Sequence, residues 1–93
     1  MGGRGGSSIS GGGRGPGYSR GSALAKRVYA QHSGDLNQAE AVMNQRYNEL
    51  GNTINQWQSG RGGVSTARAQ AAMDEQNAIR DEMWQRGGAM PRR

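Results

Sequence analysis

Residues 35–58 read DLNQAEAVMNQRYNELGNTINQWQ, and this stretch decides the fold. Its apolar side chains recur at intervals of three and four residues, which places them along one side of an α-helix. Four of them also lie seven residues apart, a spacing typical of a coiled-coil-like seam. This apolar stripe consists of Leu36, Ala39, Met43, Tyr47, Leu50, Ile54 and Trp57.

The two ends and the middle of this segment carry local signals. Asp35 is a predicted N-cap, and Gln38 three residues later completes a capping-box pattern. Gly51 interrupts the helix, where glycine costs about 1 kcal/mol relative to alanine. Because the stripe keeps its register beyond Gly51, we predict one continuous helix over 35–58. The alternative is a helix that ends at Leu50, with Gly51 just past its last turn.

A second long helix is predicted after the glycine-rich turn 59–63. Ser65 or Thr66 can cap a helix that runs to about residue 86, and the two glycines that follow end it. The short turn lets this helix fold back antiparallel on the first. Its expected inward face consists of Ala69, Ala72, Met73, Ile79 and Met83, with Trp84 at the edge.

A short helix over 22–31, with Ser22 as its N-cap, is predicted before the stripe. The expected fold is therefore all-α: a short helix followed by an antiparallel, coiled-coil-like helical hairpin. The apolar stripe of this hairpin is too thin to bury itself fully. We expect it to be completed by a second copy, by a third helix packing across it, or by a partner surface.

Charge and glycine are concentrated at the ends of the 93-residue chain, whose net charge is +5. Residues 1–21 hold ten of the 17 glycines and no acidic residue, residues 22–86 are electrically neutral, and residues 87–93 carry two arginines. A glycine-rich segment with few apolar side chains cannot offset its ordering entropy. We therefore predict a disordered basic tail over 1–21, a helical region over 22–86 and a short basic tail over 87–93.

The residue inventory argues against catalytic and cofactor sites. The chain has no cysteine and one histidine, whereas a zinc site normally needs three protein ligands. Its single lysine does not follow glycine, as a phosphate-binding Walker loop requires. The acidic pairs 74–75 and 81–82 have no catalytic partner and are expected on a solvated outer face. We expect no enzymatic activity, no cofactor and no metal.

The sequence also shows no pattern typical of a membrane-spanning segment or of a signal peptide. No apolar run approaches the length of about 18 residues that a membrane span needs. No apolar segment of a signal peptide follows the first arginine. We expect a cytoplasmic or virion location, no secretion by a signal peptide, and no membrane partner.

The helical stripe is the feature that best indicates a function. It predicts a non-enzymatic interaction module that binds a protein or nucleoprotein partner, or a second copy of itself, aided by the basic tails. Tryptophan at a helix end is a frequent anchor of such interfaces. The residues expected to bind the partner are Met43, Tyr47, Leu50, Ile54, Trp57, Met73, Ile79, Met83 and Trp84.

The alternative is an RNA- or DNA-binding protein in which the hairpin serves for dimerisation. Clusters of arginine and glycine are similar to the RGG-type segments of RNA-binding proteins, where mobile arginines contact phosphates and stack on bases. A strong salt dependence of binding would distinguish this alternative. The residues expected to contact nucleic acid are Arg4, Arg14, Tyr18, Arg20, Arg61, Arg92 and Arg93.

The opening residues Met1-Gly2-Gly3-Arg4-Gly5-Gly6-Ser7-Ser8 resemble the start of small or head-associated proteins of bacteriophages and other bacterial mobile elements. The resemblance covers these eight residues and not the helical region. It implies a bacterial or viral protein, such as a virion or scaffold component or an inhibitor of a host defence complex. Both kinds of protein act by binding a surface.

Overall fold

The computed structural model describes residues 15–91, which form three α-helices joined by short loops. Helix α1 spans Pro16–Gln31, α2 spans Leu36–Gln58 and α3 spans Thr66–Gly87. This range contains no strand, so the all-α prediction is confirmed. The helices run up, down and up, so that α1 and α3 are parallel. None of the three is long and apolar enough to cross a lipid bilayer.

Helix α2 begins and continues as its sequence predicts. The Asp35 carboxylate accepts a hydrogen bond from the backbone N–H of Gln38 at 3.0 Å. The helix runs unbroken through Gly51. Opposite this glycine, the Gln76 side-chain amide donates to the carbonyl of Tyr47 at 3.0 Å. Gln76, a polar residue on the apolar face of α3, therefore has a backbone partner. The absence of a side chain at position 51 leaves room for it.

Helix α3 folds back on α2 as the predicted hairpin requires. The Ser65 hydroxyl accepts from the backbone N–H of Arg68 at 3.1 Å, which makes Ser65 the N-cap. The helix ends where Gly88 adopts a positive φ of 66° and donates its N–H to the Trp84 carbonyl. Glycine is favoured there because a side chain at such a φ is strained.

The start of α1 differs from the prediction. The helix begins at Pro16, six residues before the expected N-cap at Ser22, which lies inside the helix instead. Gly15 is the N-cap without a side-chain hydrogen bond, and Pro16 occupies the first helical position, where its missing N–H costs nothing. The remainder of the predicted disordered tail, residues 1–14, lies outside the described residues, and so do residues 92–93.

Two glycines explain why α1 is longer than the composition suggests. Gly17 and Gly21 are both buried against α3. A Cβ on Gly21 would lie 2.6 Å from the Cβ of Ala78 and 2.7 Å from the carbonyl oxygen of Glu75, and one on Gly17 would overlap the backbone of Ala71. Here the glycines let two helix backbones approach closely. Judged by glycine content alone, the same segment is predicted to be disordered.

The core lies where the three helices meet. Its largest fully buried side chains are Met43, Ile79 and Met83. The other buried residues of this cluster surround them, and these are Ala25 and Val28 from α1, Ala39 and Leu50 from α2, and Ala72 from α3. Helix α1 therefore covers the apolar stripe of the hairpin. The hairpin is therefore completed in one of the three expected ways: α1 of the same chain is the additional helix that packs across it.

Candidate functional site

Four of the nine residues expected to bind a partner are buried inside the chain itself. Their exposed fractions do not exceed 6%. Their side chains contact other residues of this chain, so a partner cannot reach them while the bundle is folded. These four are core residues, which corrects the expectation, and they are Met43, Leu50, Ile79 and Met83.

Four further residues of the expected set are half-buried: Tyr47, Ile54, Trp57 and Met73. The indole N–H of Trp57 donates to the hydroxyl of Thr66 at 3.3 Å. This bond joins the last turn of α2 to the first turn of α3, so Trp57 closes that end of the hairpin. Tyr47 and Ile54 pack against the edge of the core. These side chains support the fold first and leave only part of their surface to solvent.

Trp84 is the one residue of the expected set that is mostly exposed, with 60% of its surface accessible. It lies near the carboxyl end of α3, about 18 residues or roughly 27 Å from the Trp57 end. Together with Arg80, Asp81 and Met90 it lines a shallow hollow of about 300 Å³. Met90 is itself 50% exposed. The large apolar side chains of Trp84 and Met90 therefore lie beside an ion pair, in which a guanidinium nitrogen of Arg80 is 3.8 Å from a carboxylate oxygen of Asp81.

The third large apolar side chain exposed within residues 15–91 lies at the same end of the bundle. Leu36, in the first turn of α2, is 45% exposed. Its methyl groups lie beside Gly87, since a Cβ added there would be 3.2 Å from one of them. We call Leu36, Trp84 and Met90 the apolar end. Large exposed side chains that gather at one place, rather than scatter, are typical of a contact surface.

A buried ion pair links α2 to α3. Glu75 is only 3% exposed, and its two carboxylate oxygens accept from Nε and Nη2 of Arg46 at 2.7 and 3.3 Å. A third guanidinium nitrogen of Arg46 lies 3.5 Å from Glu49. The hydrogen bond to Glu75 raises the pKa of Arg46 further, so this side chain is charged at every working pH.

The burial of Glu75 overturns the expectation that the acidic pair 74–75 lies on a solvated outer face. A sequence signal for it exists. Glu75 lies three residues after Ala72 and four before Ile79, so helical periodicity places it on the inward face. Carboxylates are rarely buried unless they are paired, so the charge of Glu75 outweighs this signal in a sequence-based prediction. Its partner Arg46 is 29 residues away in sequence, and no local pattern indicates that pairing.

A groove opens between α1 and α2, with the amino-terminal half of α3 as its floor. Its volume is about 420 Å³. One arginine from each helix lines it: Arg20 from α1, Arg46 from α2 and Arg68 from α3. The floor carries the small side chains of Ala67, Ala71 and Ala72. Sequence reasoning selected Arg20 but missed Arg46 and Arg68, which lie in the electrically neutral part of the chain.

The residues expected to contact nucleic acid are placed differently from one another. Arg20 lines the groove, and Arg61 is exposed in the loop before α3. Tyr18 is turned toward α3, where its hydroxyl donates to the Asp81 carboxylate at 2.8 Å. Its role as a stacking surface is therefore not favoured. Four more fall outside the described residues, and these are Arg4, Arg14, Arg92 and Arg93.

The hydroxyl of Tyr29 in α1 is buried and has no hydrogen-bond partner among the described residues. Burial raises its pKa, and the nearby carboxylate of Glu40 raises it further, against the opposing effect of the Arg86 guanidinium. That guanidinium lies 5.5 Å from the centre of the Tyr29 ring, within the range of a cation–π contact. The cluster joins all three helices at the end opposite the groove.

Within residues 15–91, no three histidine or carboxylate side chains come together in a way that could hold a metal ion. Comparison with known proteins adds no relative: no protein-family model, no curated protein and no solved structure matches the chain.

Proposed function

We propose that the chain is a non-enzymatic binding module that contacts a protein partner through the apolar end, with Trp84 as the central side chain. The observation that supports this is the 60% exposure of Trp84 next to the half-exposed Met90. Folding has already covered most of the apolar stripe. The large apolar surface that is left over in residues 15–91 is therefore the surface on which a partner gains most by burial.

The chemistry of the apolar end suits a protein pocket. Tryptophan is the most enriched residue among those that dominate binding energy, because it buries a large rigid surface and can donate one hydrogen bond. Methionine beside it adapts to the shape of the partner. Arg80 and Asp81 at the edge offer one charge of each sign, which favours a mixed protein surface over a uniformly charged one.

The kind of partner and its source are proposed from the sequence alone. The partner is a protein or nucleoprotein of a bacterial host or of a virion, as the amino-terminal resemblance implies. A second copy of the chain is the other candidate occupant of the apolar end. Sedimentation of the purified chain from 1 to 100 µM separates the two: a monomer throughout this range excludes the second copy.

Replacement of Trp84 tests the proposal. The full chain, tagged and produced in the cells that naturally encode it, is used to isolate a bound protein, and the affinity is then measured by calorimetry with that protein purified. Truncation of a central tryptophan costs 2 kcal/mol or more, so Trp84→Ala should weaken binding by about 30-fold or more. Because the side chain is mostly exposed, the variant should keep the helical circular dichroism of the parent chain.

Gln45→Ala is the matched control, since Gln45 is exposed on α2 and does not belong to the apolar end. Its affinity should equal that of the parent chain. If Trp84→Ala binds the isolated partner as tightly as Gln45→Ala does, the apolar end is not the contact surface and the proposal is wrong.

A further inference from the structure

The groove between α1 and α2 carries a positive charge that the chain itself does not neutralise. Three arginines line it; the Glu49 carboxylate lies 3.5 Å from one of them, Arg46, and the lining itself contains one carboxylate, that of Glu75. This carboxylate is only 3% exposed and is held by Arg46. Arg20 and Arg68 are exposed and form no ion pair with any residue of the range 15–91. Together with Glu49 and Glu75, the groove therefore carries an excess of one positive charge, and the unpaired guanidinium groups of Arg20 and Arg68 are exposed to solvent.

One of the three arginines is fixed in place. Arg46 donates two hydrogen bonds to the buried carboxylate of Glu75, so its guanidinium cannot swing away from the groove. A guanidinium has five N–H groups, and those not used by Glu75 and Glu49 are free to donate outward. A preorganised guanidinium loses less conformational entropy on binding an anion than a mobile one does.

The amino end of α3 reinforces this charge. Its unpaired N–H groups give a partial positive charge at this end of the bundle, and the first turn of α3 has no acidic residue. The amino end of α1 contributes less, because the Asp74 carboxylate lies beside it: a Cβ on Gly15 would be 3.0 Å from one of its oxygens. The opposite partial charge at the end of α2 is reduced, because backbone N–H groups of residues 59–61 already donate to its last carbonyls.

The shape of the groove favours an extended polyanion over a single small anion. Three of the five α3 residues that line it are alanines, so little bulk projects from α3 into the groove. Its arginines come from three helices instead of converging from one loop. No aromatic side chain of the described residues lines the groove, so nothing there reads a base by stacking.

We propose that this groove seats the phosphodiester backbone of a nucleic acid, with Arg20, Arg46 and Arg68 contacting its phosphates and with no preference for base sequence. Arginine is suited to phosphate because its planar fork of donors matches the phosphate oxygens. Arg68 of the groove lies about four helical turns of α3 from Trp84 of the apolar end. A nucleic acid and a protein can therefore be bound together, as a nucleoprotein partner requires.

Fluorescence anisotropy with a labelled oligonucleotide of about 20 nucleotides, single-stranded and duplex, tests the proposal on the full chain. The variant Arg20→Gln/Arg68→Gln removes the two unpaired arginines. On a single strand each phosphate contact contributes about 0.7 to the slope of log affinity against log salt, so the slope should fall by about 1.4. By the same relation the dissociation constant at 0.1 M salt should rise about 25-fold.

The control is Lys26→Gln/Arg27→Gln, which removes the same charge from exposed positions of α1 outside the groove. It should change the dissociation constant by less than about threefold. Trp84→Ala should change it no more than this, which keeps the present proposal separate from the proposed protein-binding function.

Three outcomes would overturn the proposal. The first is an equal loss of affinity in both double variants, since net charge alone would then explain binding. The second is competition by inorganic phosphate at the same phosphate concentration as the oligonucleotide, which indicates a site for a free anion. The third is binding that disappears when residues 1–14 are deleted but is unchanged in Arg20→Gln/Arg68→Gln, which assigns it to the tail.

Discussion

The replacement of Gly21 by alanine is the most direct test of the fold. In an isolated helix this change is favourable by about 1 kcal/mol, because alanine is the better helix former. In the bundle the added Cβ would lie 2.6 Å from the Cβ of Ala78 and 2.7 Å from the carbonyl oxygen of Glu75. Carbon atoms in contact are about 3.5–4.0 Å apart, so α1 and α3 must separate locally by about 1 Å.

The size of the effect follows from these opposing terms. Inserting one methyl group into a packed interior costs about 1–3 kcal/mol. Because one of the two opposing atoms belongs to the α3 backbone and cannot rotate away, we expect a cost near the upper limit. After the helix-propensity gain is subtracted, Gly21→Ala should lower the free energy of unfolding by about 2 kcal/mol. For a domain of this size that corresponds to a Tm about 8–16 °C lower.

Gly51→Ala is a matched control with the opposite expected sign. Gly51 also lies inside a helix, but its added Cβ would lie 3.4 Å from the amide nitrogen of Gln76, an ordinary contact that leaves the hydrogen bond from Gln76 to Tyr47 in place. The helix-propensity gain should therefore remain nearly whole, about 0.5–1 kcal/mol, and raise the Tm by about 2–8 °C. Thermal unfolding followed by circular dichroism measures both variants, and amide hydrogen exchange of residues 17–25 reports directly whether α1 stays docked.

An equal or higher Tm in Gly21→Ala would refute the reasoning. It would mean that Gly21 does not face α3 in solution and that the segment 15–21 belongs to the flexible tail that its composition predicts. Rapid exchange of the Gly21 amide in the unmodified chain would point to the same conclusion, because a helix docked on α3 protects that amide.

Two further changes test the polar contacts between the helices. Glu75→Gln leaves Arg46 without its buried counter-charge and should lower the free energy of unfolding by about 1–2 kcal/mol, since Arg46 is partly exposed and can be rehydrated. The exposed Glu49→Gln should cost less than about 0.5 kcal/mol, so equal Tm values in the two variants would argue against the buried pair. Tyr29→Phe removes an unpartnered hydroxyl and should stabilise the chain by about 1 kcal/mol at pH 7. The folded-state pKa of Tyr29 lies above its ordinary value of 10.0, so the parent chain holds this proton more tightly when folded. Its stability should therefore be constant below about pH 10 and fall as the pH rises through the folded-state pKa, whereas Tyr29→Phe should lack this fall. A parallel pH dependence of Tm in both chains would show that Tyr29 is not buried.

The sequence predicts the hairpin well because its signals are local. The stripe of α2, the cap at Asp35 and the turn before Ser65 each depend on residues a few positions apart. The start of α1 is not predicted, because Gly17 and Gly21 acquire their role only when α3 is present. Without a partner helix, a Gly-x-x-x-Gly spacing in a glycine-rich segment looks the same as a flexible tail.

The candidate sites were predicted less well for the same reason. Periodicity identifies apolar residues that face inward, and it selected the core residues Met43 and Ile79 together with the exposed Trp84. Nothing in one helix tells how much of the stripe the others will cover. The groove depends on three arginines spread over 49 residues of sequence, from Arg20 to Arg68, and their proximity is a property of the packing alone.

Glu75 connects the close packing of α1 to the charge of the groove. Its backbone carbonyl lies beneath Gly21 of α1, and its carboxylate holds Arg46 of α2, so one residue of α3 contacts both of the other helices. The glycines draw α1 close onto α3 at Ala71 and Glu75, and the groove opens beside this contact. A larger residue in place of the glycines would lift α1 from α3 and move Arg20 away from Arg46 and Arg68. The small residues that make α1 a helix of the bundle therefore also set the spacing of the arginines in the groove.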